Sequence, residues 1–153
     1  LDAVQRATRR IDPPTRTNII AMAAPSGGSG DYTEREIASI FATAYTAFAA
    51  AAQESTRARG PSTRTIIHSG FWGCGAFGGN RRLMIALQAL AARGAGVAQF
   101  ILHAGDDAGA EEASRGIDVA DTLASRCGAS CALDTIVGRA VILGYRWGVS
   151  DGN

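Results

Sequence analysis

Ten consecutive residues offer most of the chemistry in this sequence: Gly70-Phe-Trp-Gly-Cys-Gly-Ala-Phe-Gly-Gly79. Half of them are glycine, which lets a backbone turn through positive φ and come close to a ligand. Amides in such a turn converge on an anion, and a helix starting just beyond adds the positive end of its dipole. Asn80 is the right residue type to cap that helix. Within the run, Gly73-Cys-Gly-Ala-Phe-Gly78 fits G-x-G-x-x-G, the spacing used to hold the diphosphate of a dinucleotide. The next acidic residue after a strand, Asp106, comes later than the usual interval of about 20 residues. The first glycine of the pattern also lies several residues past the apparent strand end. A Rossmann-type NAD-binding domain is therefore one alternative.

The loop's side chains divide by task. Phe77, between Ala76 and Gly78, has little around it and suits packing against a ribose or base. Trp72 suits an anchor to the core. Cys74 has no histidine base near it in sequence, so catalysis by its thiol is not expected. Arg81 and Arg82 follow in the first turn of the helix, where cations are unfavourable without an anion or acid nearby. Solvent is their expected destination, with a phosphate as the alternative. His68 and His103 stand alone on separate strands, and Cys127 and Cys131 are four apart with no second ligand pair. No metal and no cofactor are called for.

These residues need elements to position them. Asn18–Ala24 reads as a buried strand and Pro25–Gly30 as a loop. Thr33-Glu-Arg-Glu36 fits a capping box for a helix to about Ser55, with Ile37, Ile40, Phe41, Ala44, Tyr45 and Phe48 on one face. Thr65–Ser69 reads as a second strand. The helix after Asn80 buries Leu83, Met84, Leu87, Leu90 and Ala91 and ends at Gly94 and Gly96. Val97–His103 reads as a third strand and Ala108 to about Ser125 as a helix with Glu111 and Glu112 in its first turn. Asp134 suits the cap of a last helix. Residues 1–16 look irregular around Pro13-Pro14, and the tail is short and polar. Alternation of this kind argues for a single α/β domain with a parallel sheet. Three strands are few, which hints at part of a larger fold.

Composition excludes other classes. A formal net charge of +1 leaves no broad basic footprint for nucleic acid, and every basic residue is arginine. No run of about 18 apolar residues could cross a bilayer. No secretory signal opens the chain, so a cytoplasmic or nuclear protein is expected. Three cysteines give no closed disulfide framework.

The longer string Ser69-Gly-Phe-Trp-Gly-Cys-Gly-Ala-Phe-Gly-Gly-Asn-Arg-Arg-Leu83 resembles the signature of poly(ADP-ribose) glycohydrolases, W-G-C-G-A-F-G-G-(D/N)-x-R-L. Phe71 stands where asparagine is common, and Asn80 replaces a frequent aspartate. Ile19–Ala23, Glu36–Phe48, Phe100–Asp106 and Leu133–Tyr145 resemble the family's neighbouring elements. The resemblance implies a partial three-layer α/β/α macrodomain-like fold over residues 1–153 and an ADP-ribose ligand. It assigns the diphosphate and ribose contacts to Gly73, Cys74, Gly75, Ala76, Phe77, Gly78 and Gly79. The implied partner is ADP-ribose or poly(ADP-ribose), with no direct nucleic acid and no membrane.

One family feature is missing. The catalytic signature, a triple glycine followed by Gln-Glu-Glu, lies before the strand that Ile19–Ala23 resembles, and residues 1–18 do not match it. Glu111-Glu112 follows the wrong strand. Cleaving a ribose–ribose bond needs a carboxylic acid to protonate the leaving oxygen and a base for water. The chain thus resembles the C-terminal portion of such a glycohydrolase. Its acid would come from a preceding segment or a partner chain, and the isolated chain is expected to be inactive. A non-catalytic ADP-ribose-binding module is the other alternative.

Overall fold

The computed structural model describes residues 2–15, 17–125 and 132–149. Its elements run α1 (Asp2–Ala7), α2 (Glu34–Arg59), β1 (Ile66–Ser69), α3 (Arg81–Gly94), β2 (Gln99–Leu102), α4 (Asp107–Ser125) and α5 (Leu133–Ile142). Cys127 and Cys131 lie outside the described residues.

Helix α2 starts on the expected capping box. The Glu36 amide donates to Thr33 Oγ1, and the Glu36 carboxylate accepts from the Thr33 amide at 2.8 Å. It runs past Ser55 to Arg59, because nothing in Thr56–Arg59 breaks a helix before Gly60-Pro61. Its buried stripe is Ile37, Ile40, Ala44 and Phe48. Asn80 caps α3, its side chain accepting from the Leu83 amide at 3.2 Å. Every residue of α3 from Leu83 to Ala92 is buried. This helix is therefore the centre of the core, packed by α2 and α4. Leu83, Met84, Ile85 and Leu87 each contribute about 1.5–3 kcal/mol by full burial.

The strands β1 and β2 pair in parallel, Ile66 opposite Gln99 and Ser69 opposite Leu102, with α3 as the crossover. Ile67 and Phe100 face Ala44 and Phe48 of α2 and Ala91 and Ala92 of α3. The opposite face carries Ile66, 49% exposed, with the exposed His68 and Gln99. The fold is α/β, with the sheet and one helical layer built from the described residues.

Other sequence expectations need correction. Asn18–Ala24 is not a strand. Met22 packs against the Phe48–Ile67 cluster, but Ile19 is 81% exposed and the segment joins no ladder. An apolar run shows a preference for burial; a strand also needs a neighbour's backbone groups, and β1 and β2 pair only with each other. Residues 2–7 form a short helix rather than irregular chain. Asp134 does not cap α5: the cap position is Ala132, without a side-chain hydrogen bond, and Asp134 sits in the first turn.

Helix α4 begins at Asp107, so Glu111 and Glu112 fall in its second turn. Glu112 pins α4 to α3 through a two-pronged pair with Arg82, at 2.8 and 2.7 Å. Gly116 permits the close approach: a Cβ there would meet the Ile85 Cβ at 2.7 Å. Helix α5 packs on α2 and α4. Among the described residues no helix is long and apolar enough to cross a membrane.

Candidate ligand-binding site

The glycine-rich run folds into a closed loop between β1 and α3. Its ring is made by backbone: the Gly79 amide donates to the Gly73 carbonyl at 2.9 Å, and the Gly78 amide to Gly75 at 2.9 Å. Gly73 is at φ 76°, a conformation L side chains rarely adopt, and a Cβ there would stand 2.8 Å from Pro25 Cδ. A Cβ on Gly79 would stand 2.6 Å from the Gly73 carbonyl oxygen. The glycines at these two positions are thus required by closure of the ring itself.

Both ends of the loop are tied to buried side chains. At its start, Gln88 of α3, fully buried, accepts from Ser69 Oγ at 2.6 Å and donates to the Gly70 carbonyl at 3.2 Å. At its end, Tyr32 Oη accepts from the Asn80 amide at 2.8 Å. Tyr32 stacks on Trp147, ring centroids 4.3 Å apart. Burial pushes the Tyr32 phenol up to about 12, so it remains protonated across the working range of pH. The chain's last described stretch closes the assembly: Trp147 N donates to the Gly30 carbonyl at 2.9 Å and Gly148 N to the Gly78 carbonyl at 2.7 Å.

A cleft of about 430 Å³ adjoins the loop, lined by Pro25, Gly27, Arg35, Glu36, Trp72 and Trp147 among others. Trp72, as expected, packs against the core. Its Nε1 is buried without a hydrogen-bond partner among the described residues. Glu36 is the carboxylate in the cleft. It accepts from Thr33 Oγ1 at 2.7 Å and from Trp147 Nε1 at 3.2 Å. The Thr33 hydroxyl and amide hold it below the ordinary carboxylate range, with a smaller contribution from Trp147. An acid held ionised is a poor proton donor.

Gly73, Cys74, Gly75, Ala76, Phe77, Gly78 and Gly79 all lie on the loop. Phe77 is 43% exposed, whereas Gly78 and Gly79 are buried. Cys74 is half-buried, with its Sγ 3.7 Å from the Trp72 carbonyl. Burial pushes its thiol up to about 12, partly offset by the charge of Arg81, so it is no thiolate nucleophile. Arg82 does not go to solvent, being bound to Glu112, whereas Arg81 is exposed as expected, 4.8 Å from the centroid of the Phe71 ring. His68 and His103 are not isolated, since their rings meet at 2.9 Å. No group of three or more metal-ligating side chains occurs among the described residues.

Sequence reading missed Tyr32, Gln88 and Trp147. Gln88 carried a signal, being a polar residue inside an otherwise apolar helical run. Trp147 carried one too, as a large aromatic in a short polar tail.

A family model described as poly(ADP-ribose) glycohydrolase (PARG), macro domain fold, matches residues 2–110. The match takes in the glycine loop, both strands and α3, and stops short of α5 and Trp147. No curated protein and no solved structure matches. With most of its length under that match, the chain belongs to the poly(ADP-ribose) glycohydrolase family.

Proposed function

We propose that the loop Gly73–Gly79 holds the diphosphate of ADP-ribose, free or as a unit of poly(ADP-ribose), with Phe77 against the ribose. The observation that carries this is the pre-closed glycine ring at the N-terminus of a side-chain-capped helix, in a chain of this family. The Gly78 and Gly79 amides close the ring, which leaves the amides of Gly75, Ala76 and Phe77, outside that closure, to meet an anion near the positive end of α3 without reorganisation at binding. The half-exposed Phe77 beside it presents an apolar face to a sugar. The neighbouring cleft gives room for more of the ligand. Family membership weighs against the Rossmann alternative for the same G-x-G-x-x-G spacing.

The 153-residue chain by itself is a binding unit without turnover. Family members are glycosidic hydrolases of poly(ADP-ribose), and that reaction needs a proton donor at the leaving oxygen. Glu36, in the cleft, is held ionised, Cys74, on the loop, is held as a neutral thiol, and no Gln-Glu-Glu stands in the sequence. The donor therefore comes from a further segment or a partner chain. A non-catalytic ADP-ribose module has the same site and differs only in lacking such a donor altogether.

Calorimetric titration with ADP-ribose, and with NAD in parallel, tests the binding reading. Selective ADP-ribose binding is expected. Tighter binding of NAD, or no binding by folded protein, counts against it. Release of ADP-ribose from polymer by the pure chain would overturn the statement on turnover.

A further inference from the structure

The chain's two histidines are 35 residues apart in sequence and side by side in space. His68 lies on β1 and His103 follows β2. In the parallel register His68 is opposite Ile101, so His103 is its diagonal neighbour on the same, open face of the sheet. Alternation of side chains along a strand puts residues 101 and 103 on one face. The His103 amide donates to the Ser69 carbonyl at 2.8 Å, which extends the ladder and fixes its place. His68 Nδ1 and His103 Nε2 are 2.9 Å apart, and both side chains are exposed.

We propose that His68 and His103 form a chelating site for a divalent transition-metal ion, with Nδ1 of the first and Nε2 of the second as ligands. The pairing of two exposed imidazole nitrogens across a fixed strand register carries the argument, and the spacing is compatible with it. With metal–nitrogen bonds of about 2.0–2.1 Å, ligands at right angles have their nitrogens about 2.9 Å apart, and ligands at the tetrahedral angle about 3.3 Å. The observed 2.9 Å is an ordinary hydrogen-bond contact, and it also equals the ligand–ligand edge of a square-planar or octahedral site, the geometry of Cu²⁺ and Ni²⁺. Without metal, one facing nitrogen donates a proton to the other. With metal, both neutral rings carry their single N–H on the far nitrogens, His68 Nε2 and His103 Nδ1, so no net proton leaves the pair. Rotation of the rings, to about 45° between each lone pair and the N···N line, turns the two lone pairs from each other toward the ion. The backbone need not move, because the strand ladder already sets the spacing. No third side chain joins the pair among the described residues, so water or an external ligand fills the other positions. The site stands on the open sheet face, one residue from where the glycine loop begins, and is independent of the loop's ligand.

The test is titration of the 153-residue chain with Ni²⁺ in a non-coordinating buffer, followed by calorimetry. One ion per chain is expected, and His68→Ala or His103→Ala weakens binding about 100-fold, the loss of the second arm of a chelate. His68→Gln and His103→Gln, checked by circular dichroism, serve if an alanine variant misfolds. Electron paramagnetic resonance of the parent with one equivalent of Cu²⁺ should show two imidazole nitrogens, which needs no variant. The proposal is overturned if the parent takes up no Ni²⁺ saturably, if a folded single variant binds as the parent does, or if the copper signal shows fewer than two imidazoles.

Discussion

Gln88 is the test of how the core holds the loop. It is fully buried, and its amide spans Ser69 Oγ and the Gly70 carbonyl, the hinge between β1 and the glycine ring. Gln88→Leu keeps the volume and removes both bonds. Ser69 and Gly70 are half-buried and regain water only in part, so the cost is at the low side of an unmade hydrogen bond, about 1–2 kcal/mol. Ser69→Ala leaves Gln88 Oε1 fully buried without its donor, costing about 1–3 kcal/mol. In the double variant neither partner of the 2.6 Å bond remains to be stranded. Its loss should fall short of the sum of the singles by about 0.5–3 kcal/mol. Urea unfolding reads this as a shift in midpoint at constant slope, and heating as about 2–4 °C per kcal/mol for a chain of this size. ADP-ribose affinity should fall in Gln88→Leu, because Gly70, the loop's first residue, loses its tether, and fall less in Ser69→Ala, where the Gln88–Gly70 bond remains. Strictly additive losses, or a Gln88→Leu chain as stable as the parent, would refute the tether.

Three further outcomes are expected. Gly73→Ala forces an alanine to φ 76° at about 1–2 kcal/mol and sets its Cβ 2.8 Å from Pro25, so melting temperature and ADP-ribose binding should drop together; unchanged values for both would count against the ring. Phe77→Ala removes a half-exposed ring, so stability should barely change while ADP-ribose affinity falls roughly tenfold, about 1.4 kcal/mol; a large loss of thermal stability would place Phe77 in the core instead. Glu36 is held below its ordinary value, so as pH falls the unfolded chain takes up the proton first. Its stabilising effect is full above the unfolded value of about 4.3 and fades as pH drops through the lower folded value. Glu36→Gln should therefore flatten the acid side of the stability curve, and parallel curves for parent and variant would show that Thr33 and Trp147 do not favour the ionised form.

The sequence disclosed what is local. Thr33 and Glu36 three apart, Asn80 before an apolar run, and five glycines among ten residues each specify their own geometry, and each is found as read. It disclosed less where the partner is distant. Asn18–Ala24 looks like a strand because its composition suits one, but pairing belongs to two segments. His68 and His103 looked solitary because only strand register brings them together. Arg82 looked solvated because Glu112, thirty residues on, belongs to another helix. Trp147 and Tyr32 stack across more than a hundred residues, a contact that no spacing pattern reports.

Helix α3 is buried on every side, and this shapes how the protein opens. A helix with one wet face can fray or detach while the remainder stays folded; one enclosed by α2, the sheet and α4 can be exposed only by dismantling its surroundings. Its amides should therefore exchange with solvent only through global unfolding, far more slowly than those of the six-residue α1. A ligand held at the loop stabilises the folded state as a whole by mass action. Its arrival would then be recorded as slower deuterium uptake at the far end of α3, around Ala91 and Ala92, more than two turns from any atom it touches.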